Sequence, residues 1–173
     1  MGLYQVFNGP APTTVSFVAV TTGTGLKTML QLKLGGSTNQ VGKIKEWGIS
    51  FDGSAAATPI EVELLSTGTV AATITEFVAA DIFNIGDPNA GAVTDDFPLA
   101  FTAAGDESGY TASAEGTITA TKLYDVQFVA PTNQYIKQFA LGLEPCWKAA
   151  DFLRIRVKAG AAVNCICYII FEV

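Results

Sequence analysis

Apolar and polar residues alternate with a period of two wherever a period can be read along this chain, the pattern of strands whose two faces see different surroundings. Residues 27–34 place Thr28, Leu30, Leu32 and Leu34 on one side and Lys27, Met29, Gln31 and Lys33 on the other. Residues 59–65 set Ile60, Val62 and Leu64 against Glu61 and Glu63, with Pro59 at the first position, where a missing N–H is tolerated. Residues 152–159 repeat the pattern with Leu153, Ile155 and Val157 against Arg154, Arg156 and Lys158. Each reads as a half-solvated strand of an antiparallel sheet. Further strands are predicted over residues 14–20, 44–52, 70–77, 117–130, 135–143 and 164–173. Turn signals separate them: Gly35-Gly36-Ser37, Asp52-Gly53-Ser54, Pro131-Thr132-Asn133 and Gly160.

About nine short strands rich in Thr, Val, Ile and Phe predict an all-β fold. Each sheet must cover its apolar face, so the expected packing is an antiparallel two-sheet sandwich of jelly-roll type. Three stretches depart from simple alternation. Residues 3–12 carry Tyr4, Val6 and Phe7 ahead of Gly9-Pro10-Ala11-Pro12 and read as an extended arm with exposed apolar anchors, which sets residues 1–13 apart from a single domain over 14–173. Residues 79–108 are too long for a hairpin loop and too apolar for a solvated one. They read as a structured excursion with Phe83, Ile85, Phe97 and Phe101 buried against the sandwich or a neighbouring subunit. In the last strand Cys165, Cys167, Ile169, Phe171 and Val173 share one face and Ile166, Tyr168 and Ile170 the other. Two apolar faces make that strand central to its sheet or covered from outside, for instance by a subunit contact.

Composition narrows the chemistry. The 173 residues are 49% hydrophobic and 15% charged, enough for one well-buried core, and they contain no histidine. That zero removes Ser-His-Asp and Cys-His nucleophile systems, the helical two-His zinc site and the neutral-pH imidazole switch. A net charge of −6 is the wrong sign for affinity built on neutralising phosphates, so no nucleic-acid partner is expected. The charge is also segregated. Residues 46–121 hold twelve acidic residues and no Lys or Arg, while the flanks carry +6, so flanks meeting in one sheet would give a bipolar surface suited to ordered association. The alternative is charge scattered over solvated faces.

Candidate sites were weighed in turn. Cys146, Cys165 and Cys167 cannot all pair within one chain; Cys165 and Cys167, two apart in a strand, read as small buried hydrophobes, with a bridge to Cys146 or a thiolate metal site as the other options. Asp81, Asp87, Asp95, Asp96, Asp106 and Glu107 offer calcium-type oxygens, yet Gly86 and Pro88 do not match an EF-hand loop. Glu61 and Glu63 share the outward face of one strand and form no glycosidase pair. Gly23-Thr24-Gly25 precedes a strand, with no lysine at phosphate-loop spacing. Trp47 shares parity with Ile49 and Phe51 and reads as core; Trp147, beside Pro145-Cys146 at a turn, reads equally as core or as a sugar-stacking platform. No cofactor or metal is expected. The N-terminus lacks a secretory pattern, no apolar run reaches the roughly 20 residues of a membrane helix, and no Asn starts a sequon.

Leu153-Arg154-Ile155-Arg156-Val157-Lys158-Ala159, Ala161-Ala162-Val163-Asn164 and the closing Tyr168-Ile169-Ile170-Phe171-Glu172 resemble the C-terminal strands of small all-β virion proteins of tailed bacteriophages. Glu46-Trp47-Gly48-Ile49-Ser50-Phe51-Asp52-Gly53 and Pro59-Ile60-Glu61-Val62-Glu63-Leu64 look similar to the same group, the capsid decoration or cement proteins. Gly160 stands where such proteins often carry Pro. The resemblance implies a structural, non-enzymatic protein on the outer capsid surface, made in the host bacterial cytoplasm. Its implied partners are the major capsid protein and copies of itself, as trimers or dimers, a homotrimer being expected here. The residues expected at those contacts are Tyr4, Val6, Phe7, Phe83, Ile85, Ile170, Phe171 and Val173. A carbohydrate-binding virion module, a head fibre or tail adhesin, is the alternative.

Overall fold

The computed structural model describes residues 2–35, 39–53, 58–87, 98–100 and 107–173. In chain order the strands are β1 (Leu3–Phe7), β2 (Val20–Thr21), β3 (Leu26–Leu32), β4 (Val41–Phe51), β5 (Ile60–Ser66) and β6 (Thr73–Glu76). A 3-10 turn (Ala79–Asp81) follows, then β7 (Phe83–Asn84), β8 (Gly109–Ala114), β9 (Lys122–Val129), β10 (Gln134–Gln138), β11 (Cys146–Lys148), β12 (Leu153–Lys158) and β13 (Asn164–Glu172). They form two antiparallel sheets packed as a sandwich. One has seven strands, with the path β10-β4-β13-β1-β7 and β11 and β2 joined to β4 and β13; the other has six in the order β6-β8-β3-β12-β5-β9. The long strands pair in nested order, β1 with β13, β3 with β12, β4 with β10 and β5 with β9, as if one hairpin had been rolled up. Residues 67–121 interrupt that hairpin between β5 and β9.

Alternation explains the core. Val6 pairs with Ile169, and Ile169 with Trp47, so these residues and Cys165, Cys167, Ile49 and Phe171 line the inner face of the seven-stranded sheet. Leu30 and Leu64 flank Ile155, and with Leu32, Val62, Leu153 and Val157 they answer from the other sheet. Both tryptophans belong to this core, and all three cysteines are free, Cys146 at the surface and the other two buried inward.

Four expectations change. Residues 3–7 are not an arm: β1 lies between β13 and β7, with Val6 fully buried, because Tyr4 and Val6 alternate with Gln5 and Phe7 in register with β13. Residues 14–20 form no strand beyond Val20; Phe17 packs on the Phe7 ring while Val15 and Val18 stay in solvent. β3 and β12 are not half-solvated: Gln31 and Arg154 are buried although they face outward, and a register shift at Ile155/Arg156 sets Thr28 opposite Arg156 instead of on the Leu30 face, where it too is buried. The insertion covers them. Arg154 donates through Nη1 to the Glu115 carbonyl (3.1 Å) and carboxylate (3.3 Å) and through Nη2 to the Val70 carbonyl. Gln31 exchanges both amide hydrogen bonds with the Ala72 backbone and donates to the Glu107 carbonyl at 2.7 Å. Lastly, the strand predicted over 135–143 stops at Gln138, and a turn with Gly142 at φ +84° follows.

The charge segregation is offset in part for the same reason. Arg154 meets Glu115, Arg156 meets Glu63 at 2.5 Å and Lys33 meets Glu107 at 3.2 Å, so three acidic residues of the middle stretch pair with basic residues of the flanks across the six-stranded sheet. In the described part of residues 79–108, Phe83 and Asn84 pair with β1 and Leu99 bridges to Leu34, while Ile85, expected to be buried, is exposed in this chain because it follows the two-residue β7 at the sheet edge. Phe97 and Phe101 lie outside the described residues.

Candidate interaction surface

On the outer face of the seven-stranded sheet aromatic and aliphatic side chains gather half-buried, with Ile85 exposed beside them. On β1, β13 and β7 every second residue turns outward, and the pairing Phe7↔Tyr168 with Gln5↔Ile170 and Gln5↔Phe83 sets these residues in adjacent rows. Phe7 sits at the centre: its ring centroid lies 5.7 Å from Phe17, 5.8 Å from Tyr168 and 6.1 Å from Phe83, an edge-to-face and tilted cluster of the kind aromatic quadrupoles favour. All four are half-buried. Gly48 lies beneath Tyr168, and a Cβ there would fall 2.5 Å from a ring carbon, so the close approach of this ring to β4 depends on glycine.

Beside the cluster runs a groove of about 520 Å³ floored by Ile170, with Leu3 and Ile85 on one wall and Lys45, Glu46, Gln138 and Glu172 on the other. Its polar wall is held by ion pairs. Lys45 contacts Glu172 and reaches Glu144 at 3.0 Å, which raises the lysine pKa and lowers those of both carboxyls, in each case chiefly through the hydrogen bond between them. Tyr168 donates to Glu46 at 2.5 Å; burial first, then the neighbouring carboxylate, pushes its pKa well up. The arrangement is an apolar floor with a charged rim, the layout of a protein contact surface.

Of the residues expected at contacts, the structure brings Phe7, Phe83, Ile85 and Ile170 to this face, Ile85 being 45% exposed. Tyr4, Val6 and Phe171 are turned the other way. Tyr4 is half-buried and stacks on Phe171 at 5.7 Å, Phe171 packs edge-on to Trp147, and Val6 and Phe171 have no exposed surface, so those two cannot anchor a partner in this fold. Val173 is half-buried against the core. Phe17 and Tyr168 join the surface although sequence reasoning gave them no such role; the parity of Tyr168 with Ile170 was the signal available.

Groups with possible chemistry are occupied structurally. The Asp81 carboxylate accepts the backbone N–H groups of Ala11 (2.7 Å) and Val78 (2.9 Å), tying the loop after β1 to the 3-10 turn. Glu107 is bound to Lys33, and Asp95, Asp96 and Asp106 lie outside the described residues. Glu63 is not simply solvated but paired with Arg156. Asp125, inward on β9, accepts from Trp47 Nε1 (3.2 Å) and the Tyr135 hydroxyl (2.8 Å) and joins the two sheets. Among the described residues no cluster of three or more Cys, Asp or Glu is placed to hold a metal ion. Trp147, the residue proposed for sugar stacking, is 2% exposed and covers Gly42, leaving no face for a ligand. No helix is long and apolar enough to cross a membrane among these residues. No protein-family model matches the chain, and neither a curated protein nor a solved structure matches it.

Proposed function

We propose that this protein is a structural virion component that decorates a bacteriophage capsid, binding the outer lattice and bridging neighbouring major capsid protein subunits. The observation that carries the reading is the outer face of the seven-stranded sheet: Phe7, Phe17, Phe83 and Tyr168 beside a groove of Leu3, Ile85 and Ile170, with a charged rim. The nested pairing of eight long strands supports a jelly roll, an architecture that serves in viral capsids and in lectins. Stabilisation follows by mass action, since a ligand that binds the assembled lattice and not the free subunit shifts the balance toward the shell. A specific contact buries on the order of 1,600 Å² in total, and modest contacts repeated over a closed lattice add avidity. The place of action is the outer surface of the virion, after synthesis in the host cytoplasm. The glycan-binding alternative loses its main residue with the burial of Trp147.

The test is Ile85→Lys, which puts a charge on the groove wall at an already exposed position. It is expected to weaken co-sedimentation with undecorated heads about tenfold, equivalent to 1.4 kcal/mol, with the melting temperature unchanged. Equal binding by variant and wild type would remove this face from the contact.

A further inference from the structure

The groove beside the aromatic cluster runs across the strands from a polar end to an apolar one. Gln138, Glu46, Ile170 and Gln5 stand opposite one another in register on β10, β4, β13 and β1. Ile85, which follows β7 at the far wall, is about three strand spacings from Glu46, or roughly 14 Å. Charge on the polar end is unevenly shared. Lys45 is taken by Glu172 and Glu144, and Lys43 lies opposite Glu172 in register, so three carboxylates with Glu46 face two cations. The surplus rests on Glu46, which has no ion pair among the described residues. It is half-buried and accepts from two neutral donors, the Tyr168 hydroxyl and the Gln138 amide at 3.4 Å, which fix the carboxylate without neutralising it.

Any surface that covers Ile170 also covers Glu46, the residue opposite it, and takes that carboxylate out of water. Desolvating a carboxylate without a cation is strongly unfavourable, whereas a cation brought by the partner turns the same burial into a specific contact. We propose that the groove selects a cationic and apolar segment of its partner, an extended stretch with an apolar side chain against Leu3, Ile85 and Ile170 and a Lys or Arg against Glu46. The inference rests on the capsid-binding reading of this face and adds the chemistry of the capsid segment that meets it. An extended chain rises about 3.3 Å per residue, so the apolar and cationic anchors stand about four residues apart. An acidic or wholly apolar segment would leave Glu46 covered and unpaired, which makes the rim a filter against wrong partners.

The experiment titrates the isotope-labelled full chain with the synthetic peptide Leu-Ile-Ser-Ser-Lys-Arg and follows amide shifts by NMR at low salt. Saturable shifts are expected at Leu3, Glu46, Ile85 and Ile170, and the counterpart peptide ending in Glu-Glu is expected to leave them in place. Glu46→Gln keeps an acceptor for the Tyr168 hydroxyl while removing the charge, and should weaken binding about fivefold. Glu61→Gln, on the six-stranded sheet, removes an equal charge elsewhere and should change binding by less than about twofold. Equal binding of the two peptides, equal losses in the two variants, or no saturable shift at the groove would overturn the proposal. The peptide comparison uses the wild type, so it stands whatever the variants do to folding. Head binding is read separately through Ile85→Lys, so a failure here leaves the capsid reading standing, and bare heads leave the charge selectivity standing.

Discussion

Arg154 is fully buried, on a face that alternation assigns to solvent. Burial pulls its pKa down to about 10 against the pull of Glu115, so it is a cation at neutral pH. It holds the Glu115 and Val70 segments onto the six-stranded sheet. Arg154→Met removes the cation beside the Glu115 carboxylate, leaving it only the Thr28 N–H and hydroxyl, and strips the Val70 carbonyl of its donor; urea unfolding should show a loss of about 3 kcal/mol, and a loss under 1 kcal/mol would mean that the insertion is held by other contacts. Tyrosines give a second check. Tyr124 and Tyr135 have pKa values pushed up to about 12 by burial, Tyr135 also by its bond to Asp125, and Tyr168 is raised further by burial and Glu46. A phenol held neutral in the fold contributes stability that is complete below its ordinary pKa of 10 and is lost as pH rises through the folded value. Alkaline unfolding should therefore set in between pH 10 and 12, with tyrosinate absorbance rising in step with loss of structure. Tyrosinate absorbance that rises around pH 10 with the structure intact would contradict the buried hydroxyls. The parity of these residues was readable from the sequence. Their cover was not, because alternation says which residues share a face and nothing about what lies on that face.

At the scale of elements, the strongest periodic segments became strands close to where they were predicted. β5 and β12 fall within residues 59–65 and 152–159 to within a residue, and β13 fills 164–173 nearly to its end. Failures have a common cause. Residues 3–7 look like an arm because glycine and prolines follow them, yet their register with β13 buries Val6 and turns Tyr4 inward. β8 went unnoticed because Gly109-Tyr110-Thr111-Ala112-Ser113-Ala114 has little apolar alternation; it exists because Gly109 lets β6 come close, a Cβ there falling 2.1 Å from the Thr75 carbonyl oxygen. Gly109→Ala should therefore part β6 from β8, and hydrogen exchange should quicken across those two strands while β4 and β13 stay protected. Uniform quickening in both sheets would show that the insertion is not a separate cooperative unit.

For the whole molecule, the sequence supports a sandwich with a single core and leaves open how its charges are placed; part of the acidic middle folds back onto the basic flanks as Glu63–Arg156, Glu107–Lys33 and Glu115–Arg154. The features that stand out for interaction are the aromatic face of the larger sheet with its charged rim and the apolar β9–β10 side. Half of the expected contact residues lie on that face because outward parity on β1, β7 and β13 brings them there, and of the others Val6 and Phe171 are buried in the core while Tyr4 and Val173 pack half-buried against it. The most direct measurement mixes purified protein with undecorated phage heads and reconstructs the particles from electron cryomicroscopy images. The proposed function requires stoichiometric density at symmetry-related sites, seated on the capsid through the face bearing Phe7, Phe83, Ile85 and Ile170. Heads that remain bare at saturating protein would contradict it.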